Sequence, residues 1–177
     1  STSPAVFANS TGKTGQSTAG CTCHSNSSPI SPSLSGLPWG AGGYTPGSTY
    51  SLVWDGGPHI SGDGGFNLAA SAGSWSSLGT DVQLASGELT HSSDASRSWS
   101  ADWTAPTSGT GDVDFDLAVL YANGNSMNSG DSWGTGTWTL SEAGPTNNPP
   151  TASNVYYIPS NPPKATGLGV SYTYDDA

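Results

Sequence analysis

From Tyr44 onward, apolar and polar residues alternate in short runs broken by Gly, Pro and Asn. That period of two is the mark of half-buried strands. Tyr50-Ser-Leu52-Val-Trp54 follows the turn at Thr45-Pro46-Gly47, and Phe66-Asn-Leu68-Ala-Ala70 follows a Gly-rich loop. After Gly73 come a weaker run at residues 82–84, a short one at 88–91, and Trp99-Ser-Ala101-Asp-Trp103, stopped by Ala105-Pro106. The clearest run places Val113, Phe115, Leu117, Val119 and Tyr121 on one face, with Asp112, Asp114 and Asp116 opposite. Asn123-Gly124-Asn125 turns the chain into a last strand over 133–140. There Gly134-Thr-Gly136 shifts the parity between Trp133 and Trp138, which predicts a bulge. No stretch carries the 3.6-residue period of a long amphipathic helix. Six to eight short strands between turns predict an all-β fold, an antiparallel β-sandwich.

The pattern also divides the chain. Residues 1–43 are rich in Ser, Pro and Gly with little apolar period and read as an irregular arm, 44–142 as the sandwich, and 143–150 as a linker. Within the arm, Leu34, Leu37 and Trp39 are expected to plug the sandwich. Residues 151–177 restart a β pattern at 155–158 and 168–174. Two strands cannot bury a core. The tail is therefore expected either to continue into a longer chain or to donate its strands to a neighbouring subunit, giving a homo-polymer.

Charge narrows the partners. Three basic residues stand against thirteen acidic ones, a net charge of −10. Nucleic acid binding needs clustered Lys and Arg, and an anionic membrane surface repels such a chain. No apolar run approaches the length of a membrane span. Asn9-Ser10-Thr11 and Asn26-Ser27-Ser28 are glycosylation sequons, and with the scarcity of lysine they favour an extracellular or cell-surface address, the start at Ser1 reading as a processed end.

The arm carries the chemistry. Gly20-Cys21-Thr22-Cys23-His24 holds both cysteines and one of three histidines. Two thiols ending in a histidine suit covalent haem, the thiols bonding the porphyrin and the histidine ligating iron. The usual spacing is Cys-x-x-Cys-His; this one is a residue shorter, which leaves open whether both thiols form thioethers. Three other readings stand beside it: a Cys21–Cys23 disulfide, strained at this spacing; a zinc site short of ligands; and a copper site of one Cys, two His and Met127, with the thiols unusually early in the chain. Haem c with its iron is the favoured cofactor, and His24 the proximal ligand. For the opposite axial position His91 is favoured, at a strand end beside Ser92, Ser93 and Asp94, ahead of His59 in the Gly-rich loop and of Met127 in an Asn/Gly turn. Two strong-field ligands leave iron no open position, so the expected function is electron transfer and not an enzyme's turnover. The Asp112/Asp114/Asp116 stripe reads as a solvated face, Glu88 and Asp102 lack the spacing of an acid/base pair, and three scattered histidines give no Ser-His-Asp triad.

Several separate motifs carry a resemblance. Tyr44-Thr-Pro-Gly47, Gly65-Phe66-Asn-Leu68, Trp103-Thr-Ala-Pro106, Gly109-Thr-Gly111-Asp-Val113 and Asn123-Gly-Asn125 to Gly130-Asp131 occur in that order. The series resembles the Reeler (reelin N-terminal-like) domain over residues 10–142. More narrowly, it is similar to the prokaryotic surface version, in which Gly-Lys-Thr-Gly (12–15 here) runs into a Cys/Cys-His motif. The resemblance implies an immunoglobulin-like sandwich in an exported protein, with a histidine recurring at the place of His91 in the haem-motif relatives. The tail resembles the opening of tandem immunoglobulin-like repeats. Two functions follow. One is a secreted mono-haem cytochrome passing electrons to redox partner proteins or neighbouring haem subunits, in a filament or a larger surface protein. The other is an adhesion or scaffold module with a structural Cys/His site or no cofactor.

Overall fold

Each alternation predicted between residues 44 and 142 becomes a strand, because a period of two puts every second side chain on the buried face. The structure is a computed structural model, and it describes residues 10–40, 42–58 and 63–144. Among these are nine strands: β1 (Ser33–Ser35), β2 (Thr49–Asp55), β3 (Asp63–Ala70), β4 (Ser74–Ser76), β5 (Val82–Ala85), β6 (Glu88–His91), β7 (Ser98–Thr104), β8 (Val113–Ala122) and β9 (Ser132–Leu140). One sheet runs β1-β2-β7-β4 and the other β5-β6-β3-β8-β9, every pairing antiparallel. This is the expected all-β sandwich. The expected tail strands at 155–158 and 168–174, and His59, lie outside the described residues.

The core forms where the inner faces meet. Leu52, Trp54, Ala101 and Trp103 of the first sheet oppose Phe66, Leu68, Phe115, Leu117 and Val119 of the second, all buried. Rings cross the gap in edge-to-face contact: Trp54 meets Phe66 at 5.0 Å and Trp103 meets Phe115 at 4.9 Å. Each such aromatic contributes about 1.5–3 kcal/mol by burial, plus about 0.5–1.5 kcal/mol for ring geometry. Leu34 and Leu37 join this core as expected, with β1 pairing against β2, whereas Trp39 is exposed and plugs nothing.

The predicted bulge in β9 is absent. Pairing with β8 runs unbroken from Val113↔Leu140 to Tyr121↔Ser132. An odd separation simply places Trp133 and Trp138 on opposite faces, and both faces are covered: Trp138 packs on the core, while Trp133 lies under the arm. Gly136 gives room to the Trp138 ring, which a Cβ there would meet at 2.4 Å.

What positions the site is the outer face of the five-stranded sheet. Along β8 it changes from Asp114 and Asp116, which accept hydroxyl hydrogens from Thr139 and Thr137 of β9, to Ala118, Leu120 and Ala122. In register, Leu120 stands between Gly65 of β3 and Trp133 of β9. This apolar end lies beneath the arm, which buried or half-buried polar groups tie down. The main-chain N–H of Lys13 donates to Thr90 Oγ1 (3.2 Å), that of Gly15 to Glu88 Oε2 (2.7 Å), and that of Gln16 to Asn67 Oδ1 (2.7 Å). Asn67 is itself fixed by donating to Glu88 Oε2 and the Leu89 carbonyl. Farther along, Asn26 donates to the Trp133 carbonyl and accepts from its N–H, closing the β9 edge.

Candidate functional site

Cys21 to His24 make a single four-residue turn, closed by the His24 N–H donating to the Cys21 carbonyl at 2.9 Å. A shortened motif cannot form the longer loop of Cys-x-x-Cys-His; this turn instead sends Cys21 half inward and leaves Cys23 exposed. Gly20, at φ +77°, precedes the turn and lies so close to Trp133 that a Cβ would meet the indole at 2.3 Å. The loop between β8 and β9 grips the turn from the side. Asn128 donates to the Cys23 carbonyl and accepts from the Ser25 N–H, and Trp133 Nε1 donates to the His24 carbonyl.

The four residues singled out in the sequence meet here. Cys21, Cys23, His24 and His91 line one half-open cleft of about 230 Å³ between the arm and the sheet, with Phe66 and Leu120 as apolar wall. Lys13, Asp63 and Asp94 also line it. Met127 does not; it is 68% exposed in the β8–β9 loop, which removes it as the alternative ligand.

The two histidines are held differently. Nδ1 of His24 lies 2.6 Å from Oδ2 of Asp131, with side chains 9% and 0% exposed. A carboxylate only accepts, so Nδ1 carries the proton and Nε2 is the nitrogen able to ligate. A ligating histidine characteristically has its other ring nitrogen held this way. His91 ends β6, and its Nδ1 lies 3.0 Å from the Phe66 nitrogen and 3.2 Å from the Phe66 carbonyl oxygen. Its ring rests against Gly65, where a Cβ would meet Cε1 at 2.8 Å. Ligation by His91 would therefore fall to Nε2 as well.

The thiols bear on the competing readings. Both are free, so the strained Cys21–Cys23 disulfide is not formed. Burial first, and the neighbouring Cys23 second, push the Cys21 thiol up to about 12. A thioether is uncharged, so burial does not oppose it. Among the described residues, no group of three or more His, Cys, Asp or Glu converges as a metal cage. The donor set fits covalent haem: two thiols and two histidines line one cleft that Phe66 and Leu120 also wall.

No protein-family model matches the chain, and no curated protein does. Among solved structures it is similar to the Reelin-N domain of F-spondin, with a TM-score of 0.51 and 21% identity over 68% of this chain and 93% of that one. The human F-spondin reeler domain (fragment 1) gives 0.50 and 21% over 67% and 94%. The fold is reeler-like.

At that identity the likeness is one of fold, and the chemistry of this reeler-like sandwich rests on its own residues. Two of those escaped the sequence reading as functional. Asp131 was visible only as half of a turn, the one charged residue between Asn123 and Ser132. Gly65 appeared only as part of a Gly-Phe-Asn-Leu series, yet its missing side chain makes the space for His91. Nothing along the chain pairs either with its histidine. Among the described residues, no helix is long and apolar enough to cross a membrane.

Proposed function

We propose that this protein is a secreted c-type cytochrome-like electron carrier with one covalently held haem. The observation that carries the reading is the convergence of Cys21, Cys23, His24 and His91 on one cleft, although His91 lies 67 residues beyond His24. Haem bound there supplies reversible one-electron chemistry at iron. The chain's part is to hold and orient it. Cys21 and Cys23 provide the thiols for attachment, His24 and His91 present Nε2 from opposite elements, and Phe66 and Leu120 exclude water from one wall. With a histidine on each side no position remains for a substrate, so the role is carriage and not catalysis. Redox proteins or further haem subunits are the partners this role needs. An extracellular address accords with the two sequons and the scarcity of lysine.

The test is a visible spectrum and an intact mass of the purified protein, with His91→Ala beside it. Wild type is expected to show the Soret band of a low-spin haem and the mass of one attached group. His91→Ala should turn high-spin and bind carbon monoxide. Absence of a Soret band would end this reading and leave the reeler-like sandwich as an adhesion or scaffold module.

A further inference from the structure

The β8–β9 loop brings against His24 a group that no part of the attachment motif requires. Asp131 is the one charged residue between Asn123 and Ser132, and it is almost wholly buried. Both carboxylate oxygens are engaged: Oδ2 with His24 Nδ1 at 2.6 Å, Oδ1 with the Asn123 N–H at 3.0 Å. Its own carbonyl accepts from the Ser27 N–H at 2.7 Å, so the main chain is pinned on the arm side too. Burying an isolated carboxylate is costly, and a neutral asparagine or a serine would close the turn as well. A charge kept in a dry position with its lone pairs aimed at one imidazole is placed for that imidazole.

We propose that Asp131 is a positioning residue that sets the electronic character of His24 as an iron ligand and so fixes the reduction potential. This inference rests on the cytochrome reading. A carboxylate accepting the Nδ1 proton at 2.6 Å does two things. It locks the tautomer, so that Nε2 alone offers a lone pair, and it draws the proton outward, making the ring a stronger donor. The buried negative charge favours the more positive, oxidised iron through an interior that screens weakly. Both effects lower the potential. His91, whose Nδ1 faces the neutral Phe66 main chain, receives no such push from that contact.

The experiment uses the haem-loaded full chain. Midpoint potentials are read by spectroelectrochemical titration for wild type, Asp131→Asn and Asp131→Glu. Asparagine keeps an acceptor without the charge. At a fixed ambient potential it should raise the reduced-to-oxidised ratio about tenfold or more, equivalent to about 59 mV for a one-electron couple. Asp131→Glu should recover most of the wild-type value. An Asp131→Asn protein that stays low-spin at the wild-type potential would overturn the inference and leave Asp131 as a structural pin. Because the variants risk not folding, nitrogen-15 NMR of the wild-type His24 ring provides an independent check. A protonated, slowly exchanging Nδ1 supports the proposal, and an Nε2-protonated ring overturns it. If wild type carries no haem, the cytochrome reading fails by its own spectrum, while the ring tautomer still reports whether Asp131 fixes His24.

Discussion

Replacing Gly65 with alanine separates a ligand-positioning role from a merely structural one. The backbone at Gly65 lies in an ordinary strand, so a methyl group brings no conformational penalty. It would, however, sit 2.8 Å from Cε1 of His91 and 3.2 Å from both ring nitrogens. To regain ordinary carbon–carbon contact the ring must retreat by about 0.7 Å. A metal–nitrogen bond tolerates about 0.2 Å, so the displaced ring leaves ligating distance. Stability should barely change. Losing the His91–Phe66 hydrogen bond costs about 0.5–1.5 kcal/mol, and replacing a strand glycine by alanine returns about 0.5–1 kcal/mol. The melting temperature should therefore stay within about 4 °C of wild type. The neighbouring glycine is the control. A Cβ at Gly64 would lie 2.0 Å from the Ser96 carbonyl oxygen, main chain that cannot swing aside. Gly64→Ala should cost about 3 kcal/mol, at the upper end of overpacking penalties, and lower the melting temperature by about 6–12 °C. Visible spectra of both haem-loaded variants and thermal melts of the same chains without haem decide. Gly65→Ala is expected to be high-spin and stable. A low-spin Gly65→Ala spectrum at the wild-type potential would refute the assignment of His91, and a collapse like that of Gly64→Ala would refute the cradle.

Two further outcomes follow from particular contacts. Cys21 faces the cleft half-buried and Cys23 is exposed. Cys23→Ser should thus retain covalent haem by intact mass and Cys21→Ser should lose most of it, the reverse order contradicting the placement of the turn. The Glu142 carboxylate accepts N–H groups from Gly109 and Gly111 and a hydroxyl from Ser108, and the first two of these hold it below the usual carboxylate range. A depressed carboxylate stabilises the fold above its unfolded value of about 4.3 and loses that contribution as the pH falls through the folded value. Glu142→Gln should accordingly lower stability at neutral pH and flatten the acid limb of a denaturation profile below about pH 4.3, where the two proteins converge; parallel profiles would show that the clamp is not linked to protonation.

The strands were legible where a period could repeat. Val113 to Tyr121 offers five inward residues, and all five are buried. The two strands no alternation revealed, β1 and β4, are Ser-Leu-Ser and Ser-Trp-Ser, where one apolar residue cannot define a period. Trp133 was misread for a related reason. Parity assumes one wet face, whereas the arm covers Trp133 on the outer face of the five-stranded sheet. The Cys21–His24 cluster could be singled out because it is local: two thiols and an imidazole within four residues. His91 could be nominated from its place at a strand end. Asp131 could not, since its meaning comes from a contact spanning 107 residues, between a turn and a loop that have no pattern in common.

That separation bears on how the site is assembled. From Thr11 to Ile30 the arm forms no strand, and it is held by hydrogen bonds to side chains of the sheet and to the β8–β9 loop. Each contributes about 0.5–1.5 kcal/mol net, and ordering a residue costs about 1–2 kcal/mol in backbone entropy. Such bonds fix the arm's register without holding it down strongly. A group bonded to Cys21 and His24 on the arm and to His91 on β6 would tie the two together, and binding only the assembled form it would stabilise that form in proportion to its affinity. The apolar end of the sheet and the buried Asp131 are then parts of one arrangement. On the proposed reading the sheet would supply one wall, the arm the thiols and a ligating imidazole, and the loop's single charge would set which nitrogen of that imidazole is left to ligate.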